Sequence, residues 1–253
     1  LGHGSMGAVY RVRRQRDGRV LAIKFLYRGK QAFASSKEME ERFRDEMKAA
    51  SRAKHPHLVD FIDSGHDDVL GPFVVLEYLS GDNLRSLLSR GERMNWEDVH
   101  EHLAKTLLPA LNSLHREGVL HRDIKPENIV ERKRNDFVLA DLGLACFAER
   151  EAKTRTGLIV GTLQYVSPER IIKEAEINSF PSDIYSMALV LIEACSGRLP
   201  FRSEGGANLL QEKLDRPITS KDIEQLGLNS EVAVSLSRAL SIDPRKRPPD
   251  AKT

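Results

Sequence analysis

Cysteine and long hydrophobic runs are both scarce in this sequence of 253 residues. Its two cysteines, Cys146 and Cys195, are too few for a disulfide framework, and no CxxC motif or Cys/His cluster indicates a zinc site. The most apolar stretch, residues 184–195, is shorter than the roughly 20 residues of a membrane-spanning helix. A formal net charge of +2 gives no general reason to expect a nucleic-acid or membrane partner. We therefore expect a reducing, cytoplasmic setting for this segment; a membrane anchor outside it stays compatible with the sequence.

The residue pattern changes from strands to helices near residues 77–82. Before this point, alternating apolar residues around Asp17-Gly18 predict a hairpin, and residues 37–53 predict one helix. Two further strands are predicted at 58–64 and 73–79. Helical patterns then dominate, with short apolar runs between them, and the predicted helices cover 84–89, 96–115, 183–196 and 230–240. This order predicts an α+β fold of two lobes. Because the chain begins inside a motif, we expect it to be part of a longer protein, truncated at both ends.

A glycine-rich segment opens the chain. Gly2, Gly4 and Gly7 fit the pattern G-x-G-x-x-G-x-V, in which missing side chains let a backbone approach phosphate groups. Glycines at this spacing also occur in ordinary hairpin turns, so the pattern alone is weak. A dinucleotide-binding fingerprint requires a helix after the glycines, whereas residues 9–12 predict a second strand.

One lysine, Lys24, ends the next strand pattern after Ala22 and Ile23. It could be an ordinary surface lysine, or it could neutralise phosphate groups with a carboxylate beside it. Glu46, on the helix predicted at 37–53, is the best candidate for that carboxylate. Three more glutamates lie on or near the same helix, so the sequence leaves the choice of partner open: Glu38, Glu40 and Glu41.

Residues 121–128, His-Arg-Asp-Ile-Lys-Pro-Glu-Asn, concentrate charged and amide side chains in one loop. Asp123 can accept a hydroxyl proton, Lys125 can stabilise a phosphoryl group, and Asn128 can offer an oxygen to Mg²⁺. Asp141 adds a second carboxylate after a short apolar run. Each segment alone could be a polar turn, but their order after the glycine-rich segment and Lys24 argues against coincidence.

Together these motifs resemble the eukaryotic-type protein kinase family, in its serine/threonine branch. The resemblance runs from Leu1 to about Pro248 and includes the later segments 161–169, 183–186 and 242–248. It implies a protein kinase catalytic domain over residues 1–253 with the bilobal kinase fold. The N-lobe, 1–78, would be a small antiparallel sheet with one main helix, and the C-lobe, 79–253, would be larger and mostly helical. The position of Lys125 and the segment 161–169 match the serine/threonine branch and not the tyrosine branch.

The resemblance also implies a reaction and a set of site residues. The γ-phosphate of ATP would pass to a serine or threonine hydroxyl of a protein substrate, with Mg²⁺ or alternatively Mn²⁺. Asp123 would be the catalytic base, with Lys125 beside the γ-phosphate, and Asn128 and Asp141 would bind the metal. The residues implied at the nucleotide are Leu1, Gly2, Gly4, Gly7, Val9, Ala22, Lys24, Glu46, Glu77, Leu79 and Val130, with Leu76 at the gatekeeper position.

Supporting contacts follow from the same resemblance. Thr162 and Asp183 would brace the catalytic loop, and Arg247 would pair with Glu169.

Regulation is suggested by Arg122, which would bind a phosphate added by autophosphorylation to Thr154 or Thr156. The alternative is that these are ordinary loop threonines. Ala50 stands where the family usually has a larger apolar residue, so the active arrangement is expected to depend on phosphorylation or on an activating partner.

Two alternatives share the fold. A pseudokinase would serve as a scaffold or allosteric binding module without phosphoryl transfer, but Lys24, Asp123, Asn128 and Asp141 are all present. A small-molecule kinase of the aminoglycoside or choline type would lack the peptide-docking segment 161–169. No contact with nucleic acid or a membrane is expected from this segment.

Overall fold

A computed structural model of the chain describes residues 2–4, 7–26, 37–141, 162–172, 179–203 and 206–251. The predictions for Leu1, Thr154 and Thr156 fall outside these ranges, and Thr162 is described in its backbone only.

A five-stranded antiparallel sheet forms the first lobe, in the order β1-β2-β3-β5-β4. Its strands are β1 (Gly2–Gly4), β2 (Gly7–Arg13), β3 (Val20–Leu26), β4 (Phe61–Asp67) and β5 (Gly71–Glu77). The turn between β2 and β3 places Gly18 at a φ of 71°, a conformation that glycine adopts without a steric penalty. The predicted hairpin at Asp17-Gly18 is therefore confirmed.

Strand β4 begins three residues later than the predicted strand 58–64. Leu58 and Val59 are each only 3% exposed, and they contact the second lobe instead of the sheet. Leu58 forms a parallel bridge with Leu139, and the Val59 N–H donates to the Leu139 carbonyl at 2.9 Å. An apolar pair such as Leu58 and Val59 looks the same in sequence whether it continues a strand of the sheet or packs on the second lobe. The prediction therefore joined these residues to β4.

Helix α1 (Lys37–Arg52) packs against β4 and confirms the single helix predicted in the first lobe. Met47 and Ala50 are 2% and 1% exposed, so the methyl group of Ala50 is fully packed. The proposed dependence of the active arrangement on Ala50 stays a prediction. Strand β5 ends at Glu77, and we propose a lobe boundary at residues 78–79.

The second lobe is mostly helical. Its helices are α2 (Leu84–Ser89), α3 (Trp96–Val99), α4 (Lys105–Arg116), α5 (Pro168–Ile171), α6 (Phe180–Ser196), α7 (Gly206–Asp215), α8 (Ser220–Glu224) and α9 (Ser230–Ala239), and a hairpin is made by β6 (Ile129–Lys133) and β7 (Asp136–Leu139). A π-helical turn, His100–Ala104, joins α3 to α4, so the helix predicted over 96–115 is continuous but locally widened. Helices α5, α7 and α8 were not predicted. This architecture confirms the predicted α+β fold.

Helix α6 is the centre of the second lobe. Its residues 182–194 are all buried, and the helix ends at Gly197 with a φ of 72°. None of the helices within the described ranges has both the length and the apolar character needed to cross a membrane.

Arg247, 3% exposed, ties the C-terminal turn to α5. Its Nη1 and Nη2 donate to the two carboxylate oxygens of Glu169 at 2.8 and 2.7 Å. Further bonds run from Nε to the Ser241 carbonyl and from the two Nη atoms to the carbonyls of Pro181 and Ile242. A guanidinium has five N–H donors, and here each one has an acceptor. The predicted pair of Arg247 with Glu169 is confirmed.

The substitution Arg247→Lys should lower the free energy of unfolding by about 3 kcal/mol, because an ammonium cannot reproduce a buried bidentate contact. Urea denaturation measures the change. Arg245→Lys is the matched control in the same turn, since the Arg245 side chain is 88% exposed. Equal effects of the two substitutions would show that the buried contact adds nothing to stability.

Candidate active site

The glycine-rich segment forms the outer hairpin of the sheet. Gly2 lies opposite Val9, and Gly4 lies opposite Gly7. The glycines are thus followed by a strand and not by a helix, as predicted.

Lys24 lies on β3 with only 5% exposure. Its Nζ donates to Oδ1 of Asp141, the carboxylate that follows β7. Removal from solvent raises the pKa of Asp141, but the charge and hydrogen bond of Lys24 outweigh this, so the pKa lies below its usual value. Two of the predicted site residues, distant in sequence, therefore meet as an ion pair.

The partner of Lys24 differs from the one expected. The described residues show no ion pair between Lys24 and Glu46; instead Oε1 of Glu46 accepts a hydrogen bond from Nη1 of Arg122. Asp141 already provides the carboxylate that Lys24 requires, and the Arg122 guanidinium provides the cation for Glu46. Each carboxylate thus contacts a cation, but the two pairs differ from the predicted pair of Lys24 with Glu46.

Asp123 lies in the loop before β6 and is 7% exposed. Its Oδ2 contacts Nζ of Lys125 at 2.7 Å and accepts from Nδ2 of Asn128 at 3.0 Å. The same Nδ2 also donates to the Asp123 carbonyl at 2.7 Å. The structure thus brings together the three loop residues that the sequence selected.

Asp183, at the start of α6, holds this loop from below. Its Oδ2 accepts from the backbone N–H of His121 at 2.8 Å and from Nε2 of His115 at 2.9 Å, and its Oδ1 accepts from the backbone N–H of Arg122 at 2.9 Å. Burial raises the pKa of Asp183, but the hydrogen bond from His115 and the neighbouring histidines lower it below its usual value. The bracing role implied for Asp183 is therefore matched by three hydrogen bonds.

Two of the residues implied at the nucleotide, Val9 and Ala22, lie on adjacent strands of the sheet. Val9 lies opposite Lys24 in the β2–β3 ladder, and Ala22 lies opposite Leu76 in the β3–β5 ladder. Ala22 and Lys24 are two residues apart on one strand, so they share one face of the sheet. Leu76 is 8% exposed.

Three further residues implied at the nucleotide lie at the end of β5, just after it, and on β6: Glu77, Leu79 and Val130. Val130 of β6 forms a bridge with Asn83. The backbone N–H of Glu77 donates to the Asp60 carbonyl, and the Glu77 carboxylate accepts from the Asp60 N–H, both at 2.9 Å. Among the described residues, none forms a backbone hydrogen bond with Leu79.

A charged network that the sequence did not reveal lies beside the catalytic loop. Arg85 of α2 donates to Glu127 at 3.0 Å and to Glu193 of α6 at 2.9 Å, and it also contacts the Tyr165 hydroxyl. The Tyr165 hydroxyl donates in turn to Glu193. Burial and the nearby Glu193 raise the pKa of Tyr165 above its usual value. The partners of Arg85 are 42 to 108 residues away, so no local pattern could identify them.

The protein kinase domain model matches residues 1–252 of this chain. The chain belongs to the protein kinase family.

Curated relatives agree with this assignment. The chain is 33% identical over 262 residues to serine/threonine-protein kinase pkn3 of Myxococcus xanthus, with 100% of this chain and 47% of that protein covered. It is 32% identical over 250 residues to the probable serine/threonine-protein kinase pknA2 of Bifidobacterium longum, with 99% and 32% covered. The kinase domain thus spans a third to a half of the length of these relatives.

Solved structures show the same fold. The chain matches Rad53 in complex with AMP-PNP with a TM-score of 0.77 at 23% identity, covering 100% of this chain and 61% of that one. It matches the PknI kinase domain of Mycobacterium tuberculosis with a TM-score of 0.72 at 24% identity, covering 100% and 90%. At these identities the likeness establishes the bilobal kinase fold.

The predicted metal ligands, Asn128 and Asp141, have oxygen atoms that suit a metal arriving with phosphate groups. Asn128 uses its Nδ2 to hold Asp123, which leaves Oδ1 as an acceptor, and Asp141 adds a carboxylate. Mg²⁺ is usually held by one or two carboxylates together with substrate phosphates. No group of three or more His, Cys, Asp or Glu side chains within the described ranges could hold a metal without such help.

Replacing Asp183 with Asn should lower the free energy of unfolding of the kinase by about 2–3 kcal/mol, because an amide nitrogen would face N–H donors. Urea denaturation at neutral pH measures this. The pKa of Asp183 is lowered on folding, so its contribution is present above a pH of about 4 and is lost as the pH falls through the folded pKa. The difference between the two proteins should therefore shrink in acid.

The exposed Asp68→Asn is the matched control and should change stability by less than about 0.5 kcal/mol. A loss in Asp183→Asn no larger than in this control would contradict the bracing role.

Proposed function

We propose that this kinase domain transfers the γ-phosphate of ATP to serine or threonine hydroxyls of a protein substrate, with Mg²⁺ or alternatively Mn²⁺. The observation that carries the proposal is the environment of Asp123. Its Oδ2 is held by Lys125 and Asn128, whereas no described residue donates a hydrogen bond to Oδ1. One carboxylate oxygen thus stays available to accept the proton of a substrate hydroxyl.

One lysine from each lobe places positive charge where the proposal puts the anionic phosphate groups. Lys24 comes from the sheet and Lys125 from the catalytic loop, and each lies within ion-pair distance of a carboxylate, Asp141 and Asp123 respectively. When bound, MgATP supplies the phosphoryl group and the divalent charge that neutralises it. The lysines would then orient the phosphates, while Asp123 orients the hydroxyl.

The preference for serine and threonine rests on two sequence features and on the names of the relatives. Lys125 follows Asp123 by two residues, and the segment 161–169 has the serine/threonine form. The relatives of 32–33% identity carry serine/threonine-protein kinase in their names. A cytoplasmic location and protein substrates are part of the same proposal.

Regulation through Arg122 also belongs to the proposal. Arg122 donates a hydrogen bond to Glu46, so a phosphate on Thr154 or Thr156 would compete with the Glu46 carboxylate for this guanidinium. A phosphate carries about −1.5 to −2 charges, which favours it over Glu46. Loss of the Arg122 contact would allow Glu46 to approach Lys24.

The substitution Asp123→Asn should reduce kcat by about 10²- to 10⁴-fold, with little change in ATP affinity, because only the proton acceptor is removed. The measurement is Mg²⁺-dependent transfer of labelled γ-phosphate to the protein itself and to a basic serine peptide. Asp98→Asn, an exposed position, is the control. Mapping the phosphorylated residues tests Thr154 and Thr156.

Wild-type protein that binds ATP but transfers no phosphate under these conditions would contradict the proposed enzyme. That result would favour the alternative, a pseudokinase that acts as a scaffold or allosteric binding module.

A further inference from the structure

Lys213 of α7 is a buried cation outside the proposed catalytic residues. It is 2% exposed, and its Nζ donates to the carbonyls of Gln164 and Val166, both at 2.7 Å. The carbonyl between them, that of Tyr165, accepts from the Ser186 hydroxyl of α6 at 2.8 Å. Three consecutive carbonyls of one segment are therefore held by side chains, two of them by a single ammonium group.

The surroundings of Lys213 do not compensate for its charge with a carboxylate. Its Nζ lies 5.3 Å from the ring centre of Tyr185 and 4.8 Å from that of Phe201. In the described parts of the chain, no acidic side chain forms an ion pair with it. The charged groups nearby are Glu169 of α5, whose field favours the charged form, and Arg247, whose guanidinium carbon lies 4.9 Å from the same Tyr185 ring.

Burial accordingly lowers the pKa of Lys213 to about 7, and Glu169 offsets this only in part. An unpaired buried charge is costly, and an apolar residue of similar size is often equally or more stabilising. Stability alone therefore does not account for a lysine at this position.

The segment that Lys213 holds lies next to the catalytic loop. Tyr165 contacts Arg85, which donates to Glu127 four residues after Asp123. On the other side, Nη1 of Arg170 donates to the Arg122 carbonyl. A shift of the backbone at 164–166 would therefore move the surface beside the catalytic base.

We propose that Lys213 is a positioning residue for the protein substrate: it fixes the backbone of residues 164–166 so that this segment can dock the peptide beside Asp123. The inference rests on the proposed kinase function, in which 161–169 is the peptide-docking segment. An ammonium suits the task because it offers three donors from one point and can reach two carbonyls that lie two residues apart.

Lys213→Met removes the donors and keeps the length and volume of the side chain. With a basic serine peptide, KM for the peptide should rise about tenfold, equivalent to the loss of one charge-assisted hydrogen bond, while KM for ATP stays unchanged. Lys221→Met, an exposed lysine of α8, is the matched control and should leave both constants unchanged. An unchanged peptide KM in an active Lys213→Met enzyme, or an equal rise in both KM values, would overturn the proposal.

A second measurement does not depend on activity. Hydrogen–deuterium exchange of the amides at 162–166 should be faster in Lys213→Met than in the wild type, and equal exchange rates would overturn the proposal even if no phosphate is transferred. Absence of transfer by the wild type, together with faster exchange in the variant, would reject the kinase activity and retain the positioning of the segment.

The pH dependence of stability identifies the ionisation of Lys213. The folded pKa of about 7 lies below that of an unfolded lysine, so the unfolded state binds more protons between these two values. The stability of the wild type therefore rises over this range as the pH increases, relative to Lys213→Met, in which this contribution is absent. A constant difference in unfolding free energy between the two proteins from pH 6 to pH 9 would contradict burial of the cation.

Discussion

One buried carboxylate, Asp183, fixes the conformation of the loop on which the proposed chemistry depends. It accepts hydrogen bonds from two consecutive backbone amides, those of His121 and Arg122, and from the side chain of His115. Arg122 has a φ of 64°, which a residue with a side chain keeps only where its surroundings impose it. Since Asp183 belongs to the most buried helix of the second lobe, the shape of the catalytic loop is set by the hydrophobic core beneath it.

Two ion pairs lie beside this loop. Lys24 is bonded to Asp141, and Arg122 is bonded to Glu46. In the proposed regulation, a phosphate bound by Arg122 would let Glu46 pair with Lys24 and would release Asp141 for a metal, so each of these charges would keep a partner. Lys213, beside the proposed docking segment, differs from these pairs because carbonyl oxygens and aromatic rings surround its charge in place of a carboxylate.

The fold and the grouping of Asp123, Lys125 and Asn128 in one loop could be predicted from the sequence because they depend on local patterns. The loop 121–128 and Asp141 carry their chemistry in short motifs, and the hairpin at Asp17-Gly18 follows from turn preferences. The start of β4 was misplaced because Leu58 and Val59 have the apolar pattern of a strand but pack against β7. Neither the partner of Lys24 nor the role of Lys213 could be predicted, because both depend on contacts between residues distant in sequence.

A double-mutant cycle on kcat, combining Asp183→Asn with Asp123→Asn, tests most directly whether Asp183 acts through the catalytic loop. If it does, Asp183→Asn should reduce kcat much less in the Asp123→Asn background than in the wild type. The coupling free energy should then exceed about 1 kcal/mol. Effects that add to within about 0.3–0.5 kcal/mol would show that the two residues act independently, and would contradict this account of the site.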